Sequence, residues 1–338
     1  MKPHRLRNGA IAVVVLSLLA GCAGSAGSDG SDQETYTIRY ASAVSPESVE
    51  GQAMEVFKQH AEEKSDGRLV VELYPGGALG GVAELTQQVP TGAIDMTNAA
   101  PSWWQTIAPG AGVIELPYLF TSREQAFEAM DGELGELIAE EMYEQGLVVL
   151  GWYDLGFRHV LNNSRPIESV DDIRGLTIRF QDNPTHLDAF AELGANPIVL
   201  DWTEVYSSMQ QDVVDGVENG LATLIANNLY EVGTYLSLTQ HVYGSMITVI
   251  NRDTWESLPA DLQEVVREAS AAEVAFQREE TMRLEDSALE TFEAEGVAVN
   301  ELSSAVLEEF RTVARSVYDA HADRIGPELV EVARQAAG

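Results

Sequence analysis

Leu176-Thr177-Ile178-Arg179-Phe180 is a short apolar run with one cation inside it, and the segment that follows, Thr185 to Leu193, has its apolar residues at helical spacing. A strand followed by a helix at this distance is the unit from which α/β folds are built. The alternation continues on both sides. Upstream, strands are predicted at Leu147 to Tyr153 and Phe157 to Leu161. Downstream come a helix near Glu204 to Gln211, a strand at Val213 to Val217, and further strand over Leu236 to Asn251.

The first third of the chain repeats the pattern. Strands are predicted at Tyr36 to Ala41, Leu69 to Tyr74 and Gly92 to Met96. Between them lies a helix carrying Val49, Ala53, Met54, Phe57 and Ala61, with Ser45-Pro46 as its expected start, and a second helix near Val82 to Val89. Ser122 with Gln125 three residues on is a capping-box start for a helix that runs toward Glu144 and is interrupted at Asp131-Gly132. After Pro259 no Gly or Pro occurs until beyond Glu295, which predicts one long helix or two joined by a bend. A final helical segment starts at Ser304.

The N-terminus carries an address. Lys2, Arg5 and Arg7 precede an apolar run from Ala10 to Ala20, too short for a comfortable membrane span of roughly 20 residues, and Leu19-Ala20-Gly21-Cys22 resembles a lipobox. Residues 1–22 are therefore expected to be a lipoprotein signal peptide, with Cys22, the chain's only cysteine, as the lipidation site. Residues 23–33, rich in Gly, Ser and Asp, are expected to be a flexible tether. One cysteine excludes an internal disulfide and a cysteine-based zinc site. With 54 acidic against 20 basic residues and a formal net charge of -34, nucleic acid is not a partner and the surface resembles that of salt-adapted proteins.

Motifs for catalysis are missing: there is no His-Glu-x-x-His, no Gly-x-Ser-x-Gly and no Walker loop, and the histidines outside the leader, at 60, 159, 186, 241 and 321, lack metal-ligand spacing. No metal and no cofactor is expected. What stands out is a pair of arginines in apolar, strand-like settings, Arg158 in Gly156-Phe157-Arg158-His159-Val160 and Arg179 in the opening stretch. A strand-interior arginine is seldom buried unless paired, so each needs an acidic side chain of the protein or a ligand.

These residues carry a family resemblance. Gly156-Phe157-Arg158, Arg165-Pro166-Ile167, the series from Asp172 to Arg179, Leu193-Gly194-Ala195-Asn196-Pro197 and Val214-Asp215-Gly216-Val217-Glu218-Asn219 resemble the solute-binding subunits (DctP family) of tripartite ATP-independent periplasmic (TRAP) transporters. The resemblance implies a two-lobed periplasmic-binding-protein-like clamp with crossing strands and a long interdomain helix. Lobe I would take residues 34–155 and 245–284, lobe II residues 156–244 and 285–338. It implies a monomeric binding protein, not an enzyme, that lies outside the cytoplasm on its lipid anchor. It would close on a small organic acid such as a C4-dicarboxylate or a uronate and deliver it to the membrane subunits of an ion-gradient-driven transporter.

Carried over by motif, Arg179 holds the ligand carboxylate, which a guanidinium can grip with two parallel donors. Arg158, the amide of Asn219 and the ring of Trp202 complete that side, while Ser42 and Asn98 reach across from the first lobe. Asp212 departs from the pattern, since many relatives have glycine there. A secreted hydrolytic enzyme would instead need a catalytic cluster in the cleft, and a surface interaction protein would need no closed polar pocket.

Overall fold

The computed structural model describes residues 34–337; the predicted signal peptide, Cys22 and the tether lie outside them. Among the described residues nine strands form one mixed sheet: β1 (Tyr36–Ala41), β2 (Leu69–Tyr74), β3 (Met96–Ala99), β4 (Leu147–Asn162), β5 (Thr177–Phe180), β6 (Asn196–Val199), β7 (Gly216–Gly220), β8 (Tyr235–Asn251) and β9 (Ala298–Glu301). The order is β2-β1-β3-β8-β4-β7-β5-β6, with β9 also on β8.

β4 and β8, 16 and 17 residues long, run antiparallel through the whole sheet. One end of the pair receives β3, at Ala99 opposite Ile247, and through it β1 and β2. The other end receives β7, β5 and β6 on β4, and β9 on β8 at Tyr235 to Leu238. Each half has apolar packing of its own. Ile38, Phe57, Leu69, Val71 and Trp255 cluster in the first, Leu161, Val217, Leu224 and Phe292 in the second. A larger apolar cluster runs through both, joining Val82, Leu85 and Ile94 of the first half to Ile178, Phe180 and Phe190 of the second, so the halves share packing as well as strands in the α/β architecture expected.

The long helix is Ala260–Glu285, 26 residues or about 39 Å. It turns at Asp286 and Ser287 before a short helix at Ala288–Ala294. It packs on the helix Val49–Lys64 of the first half, along β4, and against Leu221–Ala226 of the second.

Local chemistry moved several boundaries. The helix after β1 starts at Val49 and not at Ser45-Pro46: the Ser48 hydroxyl accepts from Gly51 N–H at 3.1 Å, and Ser48 N–H donates to the Ser45 carbonyl, which closes Ser45 to Ser48 into a turn. The strand predicted at Gly92 to Met96 begins only at Met96, because the Arg39 side chain takes the carbonyls of Gly92 and Ala93 and the Asp95 carboxylate. The two strands predicted between Leu147 and Leu161 are the single β4, whose register shifts at three points. The strand predicted at Val213 to Val217 lies at Gly216–Gly220, since Asp212 adopts φ 55°, the left-handed turn for which glycine is the easy choice.

Candidate functional site

β5 carries Arg179 one residue before its end, with Ile198 as its register partner on β6. The chain leaving β6 passes Leu200 and Asp201 into a short turn that begins at Trp202. This turn brings the Leu200 carbonyl to the guanidinium, which donates Nε–H at 3.0 Å and Nη2–H at 2.7 Å to that one oxygen. The guanidinium carbon sits 5.5 Å from the centre of the Trp202 ring. Arg179 is only 2 % exposed, yet among the described residues no carboxylate comes within ion-pair distance of it. Burial pulls its pKa down to about 10, partly offset by the negative field of Glu218.

Arg158 is the opposite case. On β4, it grips Glu218 of β7 through Nε–Oε2 at 2.6 Å and Nη2–Oε1 at 2.7 Å, and also donates to the Glu218 carbonyl and to Asn219 Oδ1, each at 3.0 Å. His241 Nε2 lies 3.1 Å from the same carboxylate. Burial alone would raise the Glu218 pKa, but the Arg158 charge and hydrogen bonds outweigh it and hold the group well below the usual carboxylate range. The internal salt bridge weighed for either arginine thus exists for Arg158 and not for Arg179. Asn219 Oδ1 is also taken by Gly220 N–H at 2.8 Å, so the acceptor side of this amide is occupied from behind and its NH₂ is the end with donors to offer.

All six predicted site residues line one cleft between the halves of the sheet, with about 580 Å³ of atom-free space, part of it open to solvent. Arg179, Trp202 and Asn219 come from the second half, Arg158 from the shared strand β4, and Ser42 and Asn98 from the ends of β1 and β3. Ser42 Oγ donates to Asn98 Oδ1 at 2.5 Å and Asn98 Nδ2 donates to Tyr40 Oη at 3.0 Å, so these two are tied to each other and to the wall behind them. Near this cleft Asp201 Oδ2 accepts from Ala83 N–H at 3.4 Å, a hydrogen bond from one half to the other.

Sequence reasoning missed Gln181, Trp103 and Glu50, which line the same cleft. Gln181 had a signal: two residues beyond Arg179 along an extended chain, it falls on the same side. Its amide donates to buried Glu115 at 2.7 Å. Glu218 was visible beside Asn219, but its pairing with Arg158 depends on which strands are neighbours.

Residues 40–324 match the family described as bacterial extracellular solute-binding protein, family 7 (DctP). A solute-binding protein of Chromohalobacter salexigens is 33% identical over 233 residues, 69% of each chain. Among solved structures, the sugar acid binding protein DctPAm of Advenella mimigardefordensis in complex with galactonate superposes with a TM-score of 0.87 at 30% identity, covering 90% of this chain and 98% of that one. A TRAP periplasmic solute-binding protein of Sulfurospirillum deleyianum with bound succinate gives 0.85 at 26% identity, covering 90% of this chain and 100% of that one.

Proposed function

Because the chain belongs to the DctP family of bacterial extracellular solute-binding proteins, we propose that it captures an organic acid for a TRAP transporter, with Arg179 as the carboxylate clamp. The observation that carries this reading is the buried Arg179 guanidinium, which lines the cleft with no carboxylate among the described residues to balance it. A buried cation left without a counter-charge is costly, and a ligand carboxylate supplies the missing partner through two parallel hydrogen bonds. Arg158, already neutralised by Glu218, lends the neighbouring donors of Asn219 a fixed position. Trp202 stacks at the clamp, and Ser42 with Asn98 forms the facing wall.

Capture is by hinge closure of the two lobes, whose boundaries we place at residues 155/156, 244/245 and 284/285. The register slip between Asp154 and Gly156, and the pairing of Gly156 with Gly244 across the two shared strands, support a bend there. Arg123 ties that point to the long helix, pairing with Asp154 at 2.8 Å and with Glu285. The chain works as a monomer held to the outer face of the membrane by lipid on Cys22, and it catalyses nothing.

A thermal-shift screen tests this, run on protein lacking residues 1–22, in high salt, against C4-dicarboxylates, uronates and other sugar acids. One acid class should raise the melting temperature strongly, and Arg179→Ala should weaken its binding thirtyfold to several thousandfold, about 2 to 5 kcal/mol. A folded sample indifferent to every acid, or an Arg179→Ala variant that binds normally, refutes the clamp.

A further inference from the structure

The cleft holds a second titratable side chain that no cation answers. Glu50 lies in the first turn of the helix Val49–Lys64, is 5 % exposed, and lines the cleft on the wall formed by Ser42, Ala43, Val44 and Ser48. Among the described residues no arginine or lysine pairs with it; burial raises its pKa, the Ser48 hydroxyl and its own backbone N–H offset part of that rise, and the Asp154 carboxylate adds to it. The partial positive charge of the helix N-terminus also favours the ionised form. Arg179 stands in the other half of the sheet and lines the same space. The cleft is thus bipolar: a guanidinium that wants an anion and a carboxylate that wants hydrogen-bond donors.

We propose that Glu50 sets ligand class, accepting hydrogen bonds from hydroxyl groups of the acid held by Arg179 and turning away a second carboxylate, so that the ligand is a polyhydroxylated monocarboxylate and not a dicarboxylate. This rests on the Arg179 clamp. An ionised carboxylate accepts only, and takes hydroxyl donors in charge-assisted bonds. A succinate bound by one end would bring its other carboxylate into a water-poor space that already holds Glu50, where like charges repel strongly and desolvation finds no compensation. A sugar acid has one carboxylate for Arg179 and several hydroxyls for Glu50 and the Asn219 amide. Leu155, Met246 and Trp103 supply the apolar surface between these poles, suited to the C–H faces of a sugar chain or ring.

The test is isothermal titration of the purified protein and its Glu50→Gln variant with D-galactonate, D-glucuronate and succinate. Wild type is expected to bind at least one of the two sugar acids and to prefer it over succinate. Glu50→Gln, of the same shape but uncharged, is expected to shrink that preference about tenfold or more, by weakening the sugar acid and admitting succinate. A ratio of affinities is not moved by a merely structural role, and an unchanged melting curve without ligand shows that the variant folds. Succinate binding to wild type as tightly as the sugar acids, or a preference unaltered in Glu50→Gln, overturns the assignment while leaving the clamp intact. If none of the three acids binds, the assignment is overturned, while the clamp is decided separately by the wider acid panel and Arg179→Ala.

Discussion

The Arg179 guanidinium ends on the carbonyl oxygen of Leu200, at 3.0 and 2.7 Å, and on no carboxylate of the described residues. A hydrogen bond from a buried cation to a single neutral oxygen offsets only part of the cost of taking that charge out of water. The unliganded protein therefore carries a local penalty, which a carboxylate held at the proposed clamp would remove. Replacing the charge with an apolar side chain of similar length should remove it permanently. Arg179→Met is expected to melt at the same temperature as wild type or higher without ligand, and to gain nothing when the acid is added. A large drop in unliganded stability would show that the Leu200 contact makes Arg179 a structural residue.

The Arg158–Glu218 pair predicts the reverse. Both side chains are essentially inaccessible, with fork-to-fork geometry and three further hydrogen bonds around them. Removing one partner strands the other as a buried charge, so Glu218→Ala should lose about 3 to 5 kcal/mol in urea denaturation, ligand or no ligand. The pair also shapes acid sensitivity. The folded pKa of Glu218 lies below its unfolded value of 4.5, so its contribution is complete above that pH and is lost as pH falls toward the folded pKa. Below about pH 4.5 wild type should lose stability faster than Glu218→Ala.

How much of this was legible beforehand depended on whether a feature is local. Tyr36–Ala41, Leu69–Tyr74 and the break between the helices Arg123–Met130 and Glu133–Glu144 follow from patterns a few residues long. The strand Asn196–Val199 was overlooked because Pro197 argues against a strand, and it is tolerated because β6 is the edge of the sheet. Short β9 was missed too, having only β8 as partner. For the site, motif resemblance pointed to six residues that share one cleft, yet it could not tell a paired arginine from an unpaired one. That distinction depends on β4 lying beside β7, more than fifty residues away in sequence. Glu50 gave no sign at all, since a glutamate in a first helical turn looks like an ordinary dipole partner until its exposure is known.

Behind the Ser42–Asn98 wall a polar chain runs into the long helix. Tyr40 Oη donates to Glu273 Oε1 at 2.8 Å, Tyr153 Oη donates to the same oxygen, and Glu273 Oε2 is buried without a partner. Burial pushes the Glu273 pKa up to about 8, even though the two tyrosine hydrogen bonds pull it down. The unfolded carboxyl ionises near 4.5, so between that pH and about 8 the folded chain keeps a proton that the unfolded chain has released. The stability contributed is whole below 4.5 and is lost as pH rises through 8, at about 1.4 kcal/mol per unit. Glu273→Gln should flatten this slope, measured as the difference in unfolding free energy between pH 5 and pH 8. Equal slopes in the two proteins would mean that Glu273 is already ionised at pH 5.

Charge at the surface poses a separate problem from charge inside. Among the cations, Arg158 and Arg123 are tied to Glu218, Asp154 and Glu285, Arg179 lines the cleft, and Arg278 pairs with Asp131 and lies on the Phe127 ring. All 20 basic residues together cannot balance 54 acidic ones, whose mutual repulsion is stronger in the folded chain than in an expanded one. The screening length is about 10 Å at 0.1 M salt and 3 Å at 1 M, so most of this repulsion should vanish within that interval. The melting temperature is expected to climb steeply up to about 1 M with NaCl and KCl alike, then flatten. A rise that appears only with sulfate and continues linearly would instead reflect salt exclusion from apolar surface. A melting temperature indifferent to both would remove the salt-adapted reading of the acidic surface.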